Sequence, residues 1–117
     1  MKKKGVLNPL PPTLRERNRY LAFKVEGSRS FGSEEVGRSI WAVSLRFLGE
    51  LGVSKTSLRI IEFDEKKQKG IVKCTHKTVA EVRAAIAVIS EIEKTKAAVR
   101  VIGVSGTIKK AKKEYIK

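Results

Sequence analysis

Cysteine, histidine and side-chain amides are nearly absent from this chain of 117 residues. A single cysteine, Cys74, excludes an internal disulfide and a thiolate zinc site, and fits a reducing, cytosolic setting. A single histidine, His76, has no partner set for a triad or a metal. Asn8, Asn18 and Gln68 are the only amides, while Lys, Glu and Arg abound, which leans towards a heat-adapted source. All three prolines fall at positions 9, 11 and 12 and interrupt the short apolar stretch after Lys2-Lys3-Lys4, so no signal-peptide pattern forms. No apolar run reaches the ~18 residues needed to span a bilayer; an anionic membrane surface ranks second to nucleic acid as a partner for the basic charge, and no membrane partner is expected. Acidic residues are scarce as well: 12 against 26 lysines and arginines, a net charge of +14. No paired-carboxylate, metal or phosphate-loop pattern appears.

What is present is basic charge, and it sits mostly at the ends. Residues 1–19 carry six cations against one acid and residues 107–117 carry five against one, so nine of the fourteen surplus charges are terminal. Such a charge on one small domain opposes compaction and calls for a polyanionic partner, nucleic acid first. Residues 1–18 read as a basic, proline-containing arm, and 19–117 as one domain.

The apolar pattern gives the element order. Tyr20 to Val25 alternates as a strand with Leu21, Phe23 and Val25 on the buried side. A Gly/Ser loop follows, and Ser33 with Glu34 and Glu35 marks a helix start. Val36, Ile40, Val43, Phe47 and Leu51 form its core stripe, and Gly52 closes it. Ser57 to Phe63 and Gly70 to His76 form a hairpin across a charged turn. Thr78 and Glu81 make a capping box for a helix burying Val82, Ile86 and Ile89. Ala97 to Val104 is the fourth strand, and Thr107 caps a basic C-terminal helix (107–117) with Ile108, Ala111 and Tyr115 on one stripe. This order is the split βαβ pattern of the α+β ferredoxin-like fold, the topology of RNA-recognition motifs: two helices on one face of an antiparallel sheet, plus a C-terminal helix.

Alternation places Tyr20, Lys24, Arg59, Ile61, Phe63, Ile71, Lys73, Arg100, Ile102 and Val104 on the outer sheet face. The third strand opens Lys69-Gly70 like an RNA-recognition motif, yet has no stacking aromatic. Acylphosphatases share the topology, but their Arg-presenting glycine loop and Asn partner have no counterpart. Contacts to phosphate are therefore expected, from Arg15, Arg17, Arg19, Lys24, Arg29, Lys73, Lys109, Lys110, Lys112 and Lys113. Trp41, Leu45 and Leu48 form a second apolar stripe on the first helix and are the expected protein contact. Cys74 alternates inward as a core residue, and His76 is a surface or capping residue.

Three segments carry a resemblance: the run from Leu10 to Leu21 (LPPTLRERNRYL), Gly70-Ile71-Val72-Lys73-Cys74, and Val101 to Ala111 (VIGVSGTIKKA). Their order and spacing resemble the ribonuclease P protein component 2 family, small ferredoxin-like subunits found in archaea and eukaryotes and related to RNase MRP. The resemblance implies a non-catalytic subunit of a ribonucleoprotein that removes the 5′ leader from precursor tRNA. It further implies that the RNA subunit performs the cleavage with its own Mg²⁺, that the protein binds no cofactor, and that it pairs with component 3. Self-association within the complex and a cytoplasmic location fit the same reading. The alternative class is a free-standing or ribosomal RNA-binding protein of the same fold.

Overall fold

A computed structural model describes residues 17–117. Strand β1 (Asn18–Gly27) leads through a loop to helix α1 (Ser33–Thr56), then to the hairpin β2 (Arg59–Asp64) and β3 (Lys69–Thr75). A 3₁₀ turn (His76–Thr78) precedes α2 (Val79–Ala87), and β4 (Glu91–Ile92), β5 (Thr95–Ser105) and α3 (Ile108–Tyr115) complete the chain. The strands form one antiparallel sheet in the order β2-β3-β1-β5-β4. Helices α1 and α2 cover one face and α3 the other, the ferredoxin-like arrangement. Of the expected terminal arm, residues 1–16 and with them Arg15 lie outside the described residues, and β1 already begins at Asn18.

The core follows from strand alternation. Leu21, Phe23 and Val25 of β1, Val72 and Cys74 of β3 and Val99 of β5 face Val36, Ile40 and Val43 of α1 and Val82 and Ile86 of α2. Phe23 lies at the centre, fully buried, with Phe63 stacked on it at 5.9 Å between ring centroids. Gly70 leaves room for that ring, since a Cβ there would stand 2.7 Å from Phe23 and 2.7 Å from the Glu62 carbonyl.

Two residues assigned to the outer face turn inward instead. The β2–β3 register shifts between Ile60 and Glu62, so Ile61 is an extra residue and Phe63 swings to the core side. The β1–β5 register shifts between Ala22 and Phe23, opposite Ile102, and Val104 then packs on the core. Each bulge reverses the alternation beyond it.

Helix α1 departs from its expected course. It does not stop at Gly52 but kinks at Gly49 (φ 72°, ψ 172°) and continues to Thr56. Positive φ is accessible to glycine without steric cost. Phe47 and Leu51, expected in the core, are 57% and 79% exposed. Between Ser44 and Val53 α1 buries no residue, and the kink at Gly49 falls within this stretch. Beyond the kink Val53 and Thr56 return to the body.

The helix starts also differ. Ser33 does not cap α1 with its hydroxyl; Gly32 is the capping residue, and its N–H donates to Glu35 Oε1 at 2.9 Å. The Ser33 N–H donates to Glu65 Oε2 at 3.0 Å. The Thr78–Glu81 capping box does not form, because the Thr78 hydroxyl pairs with Thr75, reaching its Oγ1 at 2.8 Å. At α3 the expected cap is present: Thr107 Oγ1 accepts from the Lys110 N–H at 3.1 Å. Ile89 is buried just beyond the end of α2.

Candidate nucleic-acid interface

The outer sheet face is ordered by register into rows of side chains that cross the strands. The middle row is Glu62, Ile71, Ala22 and Gly103. Ile71 and Ala22 are fully buried although they point away from the core, because α3 lies on them. Tyr115 of α3 sits against Gly103, where any Cβ would collide with its ring. Ala111 is fully buried, and Lys112 Nζ meets Glu62 Oε1 at 3.2 Å. The stripe read from the sequence thus docks α3 on the apolar part of the sheet. A helix of eight residues is marginal alone in water, so this docking is what orders it.

Docked in this way, α3 presents Lys109, Lys110, Lys112 and Lys113 at the surface. On one side of the middle row lie Arg59, Lys73 and Tyr20, paired in register and ending at Ser105. On the other lie Asp64, Lys69, Lys24 and Arg100. The expected residues Lys24, Lys73, Lys109, Lys110, Lys112 and Lys113 therefore share one face. Arg59, Lys69 and Arg100 join them; alternation suggested an outer position for Arg59 and Arg100, and only register places Lys69 beside Lys24.

Of the other candidates, Arg29 and Arg19 make contacts within the chain. Arg29 makes two hydrogen bonds to the Glu35 carboxylate, at 2.7 and 3.2 Å, and stacks over the Phe31 ring at 4.4 Å. Gln68 bridges the same loop to the β2–β3 turn, accepting from the Phe31 N–H at 2.9 Å and donating to its carbonyl at 3.0 Å. Arg29 thus closes the β1–α1 loop. Its bond to Glu35, with a second from the Gly32 N–H, holds the Glu35 carboxyl at about 2. A carboxyl depressed in the folded state stabilises fully above its unfolded range near pH 4.5, and loses that contribution as pH falls towards about 2. Glu35→Gln is therefore expected to flatten the acid limb of stability between about pH 4.5 and 2, read as Tm against pH; an unchanged limb would contradict the loop clasp.

Arg19 is half-buried and donates to the Asn18 carbonyl at 2.8 Å. Arg17 is exposed, and its carbonyl accepts from the His76 N–H at 2.8 Å, so the base of β1 is tied to the end of β3. His76 itself is exposed. Cys74 is fully buried, and burial pushes its thiol pKa up. Cys74→Ala is expected to cost about 1–2 kcal/mol through a small cavity, and His76→Ala almost nothing. Urea unfolding measures both, and a loss above about 4 kcal/mol for either would overturn these assignments.

A separate apolar surface lies on α1. Trp41 is 47% exposed and Leu45 and Leu48 are half-buried, so the expected contact stripe is partly open. Phe47 and Leu51 enlarge the exposed apolar surface of this helix, and Arg46 stands over the Phe47 ring at 5.7 Å. Among the described residues no group of three His, Cys, Asp or Glu side chains gathers as a metal site, and no helix is long and apolar enough to cross a membrane.

Comparison with known proteins gives a consistent result. The sequence profile described as the Rpp14/Pop5 family matches residues 19–116. "Ribonuclease P protein component 2" of Thermococcus gammatolerans is 49% identical over 92% of this chain and 89% of its own length. The protein of the same name from Pyrococcus furiosus is 44% identical over the same shares, 92% and 89%. That of Methanosarcina acetivorans is 33% identical, over 92% of this chain and 80% of its own. A chain in the cryo-EM structure of yeast ribonuclease MRP superposes with a TM-score of 0.65 at 9% identity, covering 80% of this chain and 76% of that one, and so shares the fold.

Proposed function

Since the chain belongs to the Rpp14/Pop5 family, we propose that it serves as a non-catalytic protein subunit of ribonuclease P, binding the RNA subunit and supporting RNA-catalysed removal of the 5′ leader from precursor tRNA. The observation that carries this reading is the outer face: α3 is locked by Tyr115 and Ala111 so that its lysines and the sheet cations face one way. Such an array neutralises phosphates without reading bases, which suits a structured RNA. The exposed Trp41 of α1, with the half-buried Leu45 and Leu48 of the same stripe and the exposed Phe47 and Leu51 of the same helix, offers a surface for a protein neighbour, ribonuclease P protein component 3. The Mg²⁺ ions of the reaction belong to the RNA subunit, and the complex works in the cytoplasm.

Reconstitution tests the reading. The purified chain with Mg²⁺ should leave precursor tRNA intact, and should raise cleavage only in the presence of the ribonuclease P RNA and component 3. A free-standing RNA-binding protein would act without component 3. Site-specific cleavage by the protein alone, persisting after removal of contaminating RNA, would end the proposal.

A further inference from the structure

The row Lys69–Lys24–Arg100 sets three like charges side by side on the outer face with fewer acids than cations. In register, Lys24 of β1 stands directly opposite Lys69 of β3 on one side and Arg100 of β5 on the other. Same-face neighbours of this kind have Cβ atoms about 5 Å apart, and like charges placed so are destabilising. Relief is partial. Glu26 reaches Lys24 at 4.0 Å and Arg100 at 3.8 Å, but one carboxylate serves both cations. Asp64, opposite Lys69, turns its Oδ1 to the Lys66 and Lys67 N–H groups at 3.0 and 3.1 Å. The row also lies beyond the apolar residues that α3 covers, and the Arg100 side chain is 62% exposed. Three rigid strands therefore hold three cations in a line, two point charges and one guanidinium fork able to grip a phosphate bidentately.

We infer that Lys69, Lys24 and Arg100 form a phosphate-binding strip across the open part of the sheet, separate from the lysines of α3, that takes one sugar–phosphate strand of a bound RNA. This rests on the proposed RNA-binding role and adds a second contact surface to it. Two consequences follow from the physics. Removing the strip should weaken RNA binding irrespective of base sequence. It should also leave the fold as stable as before or more so, because the repulsion goes with it. A cluster retained for packing would behave in the opposite way.

The test uses the full chain with Lys24→Gln, Lys69→Gln and Arg100→Gln combined, beside a second variant with Lys109→Gln, Lys110→Gln and Lys113→Gln. Affinity for the ribonuclease P RNA and for a mixed-sequence hairpin RNA is measured across salt concentrations. The strip variant should reduce the slope of log K against log salt by about 2–3, the value for three phosphate contacts, and lower affinity for both RNAs by about 10–100-fold at moderate salt. Its Tm should equal or exceed the parent's. A parental slope on both RNAs, with the α3 variant alone affected, would overturn the strip and leave the subunit reading intact. A Tm several degrees lower, or lost binding of component 3 with RNA binding retained, would equally overturn it. If the strip variant loses both RNAs while the parent fails to support precursor tRNA cleavage, the strip stands and the subunit reading falls.

Discussion

Gly103→Val is expected to undock α3 and to lower reconstituted ribonuclease P cleavage by more than tenfold at moderate salt. Tyr115 occupies the space where any side chain at position 103 must go, and Ala22 and Ile71 beside it are fully buried. Valine there cannot be accommodated by a small shift, because the ring lies on the backbone. Once displaced, α3 is too short to persist as an isolated helix. Far-UV circular dichroism should then lose the contribution of its eight residues, about a fifth of the described α-helical residues. The core on the opposite face should keep its cooperative transition. Removing the ring as well, in Gly103→Val with Tyr115→Ala, should recover part of the helix, since the two positions are in contact and their effects do not add. Full helicity and full activity in the single variant would mean that α3 is a solvated appendage.

The second large effect belongs to the core. Phe23→Ala is expected to cost about 3–5 kcal/mol, the usual range for deleting a buried phenyl ring. That is a large share of the roughly 5–15 kcal/mol that holds a domain folded. The site cannot collapse easily: Phe63 stacks on one side of Phe23, and the Gly70 backbone of β3 closes another. With about 4–8 °C lost per kcal/mol in a domain of this size, Tm should fall by at least about 12 °C. Calorimetry reads it directly, and a fall of only a few degrees would show that the Phe23–Phe63 stack is not the centre of the core.

The same residues show how far the sequence could be read. The alternation of Leu21, Phe23 and Val25 and the caps and stripe of α3 were legible because each is a local pattern whose neighbours agree with it. Phe63 and Val104 were not, because a bulge adds one residue and reverses every face beyond it, and bulge positions carry no mark in Ile61 or Ile102. Strand β4 has only two residues, and its turn places Glu93 and Lys94 at φ 49° and 65° without the glycine or asparagine that would announce it. Phe47 and Leu51 keep the helical period of a core stripe; they flank the kink at Gly49, which that period does not announce. On the candidate interface, α3 was visible as a basic amphipathic segment. The pairing of Arg29 with Glu35, and of Lys24 with Lys69 and Arg100, depends on loop closure and cross-strand register.

In the proposed role this chain supports catalysis by an RNA and performs none itself. The most direct measurement is precursor tRNA cleavage with the ribonuclease P RNA, component 3 and this chain, each omitted in turn at fixed Mg²⁺ and salt. Accurate 5′-leader removal should depend on the RNA and rise at least tenfold when the chain is added with component 3. Cleavage by the two proteins without RNA, or an unchanged rate when this chain is left out, would contradict it.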